Sequence, residues 1–211
     1  MIYELRTYTL RPGSQATVAR TAGDLGRAIR GDDYGKLEGY WLSEIGPLNQ
    51  VLHLWSFESL DERTRLRTAL AANADWTGKY VPAIRPHLVR QEVRLMHAFL
   101  PMQPPATTGN VYELRSYRTF PTRARDWARL FTSIMPVREE YSRNVCAWVT
   151  ESGQPNEVSH LWAYPSLDAR AETRGRVVQD PRWQAFLAES GPMLEEMHST
   201  ILLPAAHSPL R

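Results

Sequence analysis

The chain has 211 residues, 43% of them hydrophobic and 23% charged, a composition that supports a core and excludes collagen-like, low-complexity and largely disordered chains. Its 25 basic residues against 23 acidic ones leave a net charge of +2 without any polybasic run, so neither nucleic acid nor a membrane is expected as a partner. The single cysteine, Cys146, excludes an intrachain disulfide framework and a cysteine-rich zinc site; with no signal peptide and no long apolar stretch, the expected location is cytoplasmic. Residues 2–10 alternate as a strand and stop at the turn signal Arg11-Pro12-Gly13. Residues 14–30 carry an imperfect helical stripe of Ala16, Val18, Ala19, Ala22, Leu25 and Ile29. Leu37–Glu44 reads as a second strand, Gly46-Pro47-Leu48-Asn49 as a turn, and Gln50–Phe57 as a third strand. Ser59 and Glu62 have the spacing of a capping box and open a helix through Ala72. A broken helical piece follows from Trp76 towards Ile84, then a strand over about Leu88–Phe99.

The same order returns in the second half, with helices expected near 123–143 and 168–198. Tyr3-Glu4-Leu5-Arg6-Thr7-Tyr8 recurs as Tyr112-Glu113-Leu114-Arg115-Ser116-Tyr117, and His53-Leu54-Trp55 as His160-Leu161-Trp162. Ser59, Leu60, Asp61 and Arg63 match Ser166, Leu167, Asp168 and Arg170. Trp41, Trp55 and Trp76 pair with Trp148, Trp162 and Trp183, which leaves Trp127 alone. The chain therefore reads as two copies of one unit: a first repeat over 1–99, a Pro-rich linker over 100–110, a second repeat over 111–205 and a C-terminal tail over 206–211.

Each copy has the order β-α-β-β-α-β of a ferredoxin-like unit. The expected fold class is α+β, two tandem ferredoxin-like βαββαβ units packed sheet-to-sheet as an intramolecular dimeric α/β barrel. On the first strand Glu4, Arg6 and Tyr8 share one side and Tyr3, Leu5 and Thr7 the other. Leu5 and Leu114 suit a helix-packed face, which assigns Glu4, Arg6 and Tyr8, with His53 and Trp55, to the space between the sheets.

Three segments, residues 3–13, 39–50 and 53–63, make the chain similar to the NIPSNAP family. The likeness covers nearly all of 1–98 and, more loosely, 111–205. It implies the dimeric α/β barrel fold and carries no catalytic residues with it. The second copy departs from the pattern at Glu151–Asn156 and has Phe120-Pro121-Thr122 in place of Arg11-Pro12-Gly13.

The expected function is the binding of a small aromatic or carbonyl-bearing metabolite between the two sheets, with conversion that needs no redox cofactor as its extension. His53 is the candidate proton carrier, oriented or charged by Glu4, and Arg6, Tyr8, Trp41 and Trp55 are the candidate substrate-binding residues. The competing reading is a non-catalytic interaction module whose barrel is filled by side chains, with Glu4 and Arg6 merely neutralising each other. No His-x-His or His-Glu-x-x-His spacing occurs, so no metal is expected. No cofactor is expected either, a haem on His53, His87 or His198 being the minor alternative. A homo-oligomer of the two-repeat chain is compatible with this composition. The hairpin that carries Pro155 in the second copy implies that a ligand sits nearer Glu4, Arg6, Tyr8 and His53 than their equivalents.

Overall fold

The computed structural model describes all 211 residues, which gather into two compact units. The first comprises Met1–Leu95 together with Leu203–Arg211, and the second comprises Met96–Leu202.

The first unit contains β1 (Ile2–Leu10), β2 (Lys36–Ile45), β3 (Gln50–Phe57) and most of β4 (Leu88–Leu100), in the spatial order β4-β1-β3-β2. β3 is buried along its whole length, as its run of Val, Leu, Trp and Phe demands. The first helical segment runs as α1 (Gln15–Thr21), a π-helical turn (Ala22–Gly26) and α2 (Arg27–Arg30), and stops at Gly31 with φ 52°. The second runs as α3 (Leu60–Ala72), a second π-helical turn (Trp76–Tyr80) and α4 (Val81–Ile84). The expected N-cap of α3 is formed, since Ser59 Oγ accepts from Glu62 N–H at 3.1 Å, while Glu62 Oε2 accepts from Glu58 N–H, one residue before the cap, at 2.6 Å. These helices pack on one face of the sheet through Tyr8, Leu10, Val18, Ala19, Ala22, Tyr40, Val51, Tyr80 and Ile84. Leu203–Arg211 is folded into this unit, where Ala205 N–H donates to the Tyr40 carbonyl and Tyr40 N–H donates to Ser208 Oγ, each at 2.9 Å.

The second unit repeats the plan with β5 (Val111–Thr119), β6 (Asn144–Ser152), β7 (Glu157–Tyr164) and most of β8 (Leu194–Pro204) in the order β8-β5-β7-β6. Its helices are α5 (Ala124–Glu139), α6 (Leu167–Val177) and α7 (Pro181–Ser190). The helix expected to reach 198 ends at Ser190, because Gly191-Pro192-Met193 forms a tight turn and β8 begins at Leu194. Asn49 and Asn156 hold matching left-handed conformations at φ 56° and 59°, and their carbonyls accept from Leu10 and Thr119 N–H at 2.8 Å. Gly13, at φ 79°, is replaced by Thr122 at φ 72°, so the second copy keeps the turn shape without the glycine that suits it.

The two copies differ in length at three places, one in the loop between the first helical segment and β2 and two in π-helical turns. β1 and the start of the first helix match the second copy at an offset of 109, whereas Arg30 and Arg138, which stack on equivalent tryptophans, match at 108. Trp76 and Trp183 match at 107, whereas the tight turns and strand starts at Leu88 and Leu194 match at 106. The first copy thus has one extra residue in each helical segment, at Ala22–Gly26 and at Trp76–Tyr80. Single-turn π-bulges are how a helix absorbs an inserted residue, and they concentrate at functional sites.

Candidate functional site

Register brings the candidate residues together. Arg6 lies opposite His53, which lies opposite Tyr40, while Glu4 lies opposite Trp55. Directly paired residues share a face. That face is the one covered by the unit's own helices, so the assignment of Glu4, Arg6 and His53 to the space between the sheets is corrected. A leucine on the other side of β1 cannot decide which face the helices cover, because both faces are buried. The helices instead supply partners for the charged side: Glu4 Oε1 accepts from Arg6 at 2.9 Å, and Glu4 Oε2 accepts from Arg63 of α3 at 2.6 and 2.5 Å.

Between this face and the helices lies a cavity of about 380 Å³. Arg6, Tyr8, Tyr40, His53 and Trp55 form its sheet wall, and the two π-helical turns contribute Ala22, Gly26, Trp76 and Tyr80. Arg27, Arg30, Arg67, Arg85 and His207 also line it, and no Asp or Glu does. Gly26 is required there, since a Cβ on it would sit 2.8 Å from the Tyr80 ring. Trp41 does not join the cavity: it pairs with Leu52 on the opposite face of the sheet.

His53 stands at the centre of the wall. Its ring meets Tyr8 edge-on at 4.7 Å and stacks with Tyr40 at 5.3 Å. Trp55 Nε1–H donates to His53 Nδ1 at 2.6 Å, and an indole nitrogen can only donate. The neutral ring therefore carries its proton on Nε2, the nitrogen left to serve the cavity. Burial, and after it the cations Arg6, Arg30 and Arg67, hold the imidazole well below its usual pKa, so His53 is neutral at physiological pH. Glu4 does not orient it. Burial raises the Glu4 carboxyl, but Arg6 and Arg63 more than offset this and keep it ionised within an ion-paired cluster. Arg6 Nε also donates to Tyr8 Oη at 2.8 Å, which fixes the phenol beside His53.

The second unit rebuilds this cluster and then fills the space. Glu113 binds Arg115 at 2.7 Å and Arg170 at 2.9 and 2.7 Å, and accepts from Ser199 Oγ at 2.6 Å. Trp162 donates to His160 Nδ1 at 2.6 Å, as Trp55 does to His53. Val18 and Ala22 correspond to Trp127 and Phe131, whose rings lie 5.7 and 4.8 Å from His160. The space left is about 160 Å³, and His160 Nε2 is buried without a partner. Sequence comparison located the sheet residues of the site but missed its helical ones, Arg30, Arg67 and Tyr80. Arg30 and Arg67 do have repeat equivalents, Arg138 and Arg174, so the signal was present; His207 lies beyond the motifs that were compared.

Fold and site together define a duplicated ferredoxin-like α+β protein in which one copy keeps an arginine-rich cavity and the other has filled more than half of it. Residues 3–101 and 112–209 each match the NIPSNAP family, and the chain belongs to that family. It is 31% identical to the human protein NipSnap homolog 3B over 99% of this chain and 85% of that one. A solved structure from Lactobacillus acidophilus NCFM aligns over 97% of this chain and 94% of its own at TM-score 0.70 with 14% identity. Another, described as anthrone oxidase-like, covers 96% of this chain and 90% of its own at TM-score 0.67 with 11% identity. At such identities these two likenesses concern the fold alone. No helix is long and apolar enough to cross a membrane, and no group of three or more His, Cys, Asp or Glu residues gathers as a metal site.

Proposed function

We propose that the first repeat binds a small aromatic, carbonyl-bearing metabolite in its sheet–helix cavity, with His53 Nε2–H donating to the carbonyl oxygen. The observation that carries this reading is the open, aromatic-walled cavity of about 380 Å³ around a neutral histidine whose second nitrogen is already engaged. Tyr8, Tyr40, Trp76 and Tyr80 supply flat apolar walls, and Arg6 adds a fixed cation beside the ring. A hydrogen bond from a neutral imidazole, with arginines nearby, polarises a carbonyl and favours negative charge on its oxygen. The chemistry available here without a redox cofactor is the stabilisation of negative charge on a bound carbonyl oxygen. His53, expected as a proton carrier oriented or charged by Glu4, acts in this reading as a hydrogen-bond donor to oxygen, held by Trp55 instead.

Ala22→Phe copies the second repeat's Phe131 into the cavity and tests the reading. With a panel of small aromatic carbonyl compounds, charged and neutral, the wild-type melting temperature rises at saturation. The rise disappears in Ala22→Phe and His53→Ala and persists in His160→Ala. A rise that survives Ala22→Phe unchanged, or that is lost equally in both histidine variants, contradicts a site in the first repeat.

A further inference from the structure

Two arginines of the cavity lack the acceptors that their equivalents have. Arg30 is 3% exposed, with its guanidinium carbon 3.2 Å from the centroid of a Trp55 ring. One nitrogen donates to the Tyr34 carbonyl at 2.8 Å, while Nε is buried without a partner. Its counterpart Arg138 also stacks on a tryptophan, but donates to Ser142 Oγ at 2.7 Å and to Tyr164 Oη at 3.3 Å. Phe57 stands where the second copy has Tyr164, so the first copy has no such hydroxyl. Arg67 follows Arg63 by one helical turn on α3, yet both Glu4 oxygens are taken by Arg6 and Arg63. Arg67 makes no hydrogen bond or ion pair, whereas its counterpart Arg174 approaches Glu113 Oε2 at 3.9 Å.

Buried cations are ordinarily paired, and an unpaired one is costly. Here buried Arg30 and half-buried Arg67 face one cavity that has no carboxylate in its lining. Burial, and then the Arg67 charge, pull Arg30 down to about 9, and Arg67 is lowered in turn by burial and Arg6. A bound anion relieves both. The guanidinium fork matches a carboxylate, and the aromatic walls match a flat ring.

We propose that Arg30 and Arg67 form a carboxylate subsite, so that the ligand of the first repeat is a planar aromatic carboxylate. This rests on the binding reading above and names the ligand's charge and its anchoring group. Isothermal titration of the full-length protein with benzoate and 2-naphthoate, against benzamide, 2-naphthamide and inorganic phosphate, tests it. One carboxylate binds per chain, at least tenfold more tightly than its amide. Arg67→Gln weakens the carboxylate at least tenfold more than its amide and so removes that preference; Arg30→Lys, which keeps the charge but not the fork, weakens the carboxylate in the same sense. Equal binding of acid and amide, both lost in Ala22→Phe, overturns the subsite and spares the cavity. Phosphate binding as tight as that of 2-naphthoate overturns the carboxylate assignment. Failure of every aromatic probe to bind the wild type overturns the cavity reading and the subsite with it.

Discussion

His53 and His160 are buried bases beside arginines, and burial is the first cause that holds both well below the usual 6.5. His207, half-buried at the first cavity, is lowered too, by burial and then Arg27. A base whose pKa falls on folding binds fewer protons folded than unfolded between the two values, so stability drops as pH descends from 6.5 through that window. The ion-paired carboxylates act elsewhere. Glu4 and Glu113 lie below 4.5, Glu113 at about 2, so their contribution is intact above pH 4.5 and is lost only in stronger acid. Urea unfolding between pH 7.5 and 5 therefore isolates the histidines. The unfolding free energy should fall below pH 6.5 with a limiting slope of about 1.4 kcal/mol per pH unit for each fully shifted histidine. His53→Ala removes one histidine's share of that slope; a flat wild-type profile contradicts the neutral, buried state.

At the scale of elements, the π-helical turns separate the two copies more than any change on the sheet does. Each inserted residue lies beside the cavity, and Ala22 and Gly26 are the small residues that keep it open. Gly26→Ala sets a Cβ 2.8 Å from the Tyr80 ring, which must shift. The expected cost is about 1–3 kcal/mol, with weaker ligand binding. Calorimetric unfolding checks the first and titration the second, and an unchanged melting temperature contradicts the tight contact. Strand order, the hairpin asparagines and the Ser59 cap were legible in the sequence because each depends on local chemistry repeated at a fixed offset. The faces of β1 were not. Alternation divides Glu4, Arg6 and Tyr8 from Tyr3, Leu5 and Thr7 but does not say which set the helices cover, and the answer lay in Arg63, whose guanidinium reaches Glu4 from α3. A comparison anchored on the strands and tryptophans shows the first copy two residues longer between β1 and β2, but not that one of them lies in the helix.

Across the whole molecule, duplication explains which features are structural and which are free to specialise. The Glu–Arg–Arg cluster and the Trp–His hydrogen bond occur in both repeats, 2.6 Å in each for the latter, so they belong to the fold they share. The open cavity, the two unpaired arginines and the two π-helical turns occur in the first repeat alone. Trp127, Phe131 and Phe186 complete the core of the second. A fold that needs its anchoring cluster twice needs its ligand cavity once. The crystal structure of the full chain soaked with 2-naphthoate tests this division of labour most directly. One molecule per chain in the first repeat, ring against Tyr40 and Tyr80 and carboxylate on Arg30 and Arg67, is the result expected; a ligand in the second repeat with the first cavity empty would contradict it.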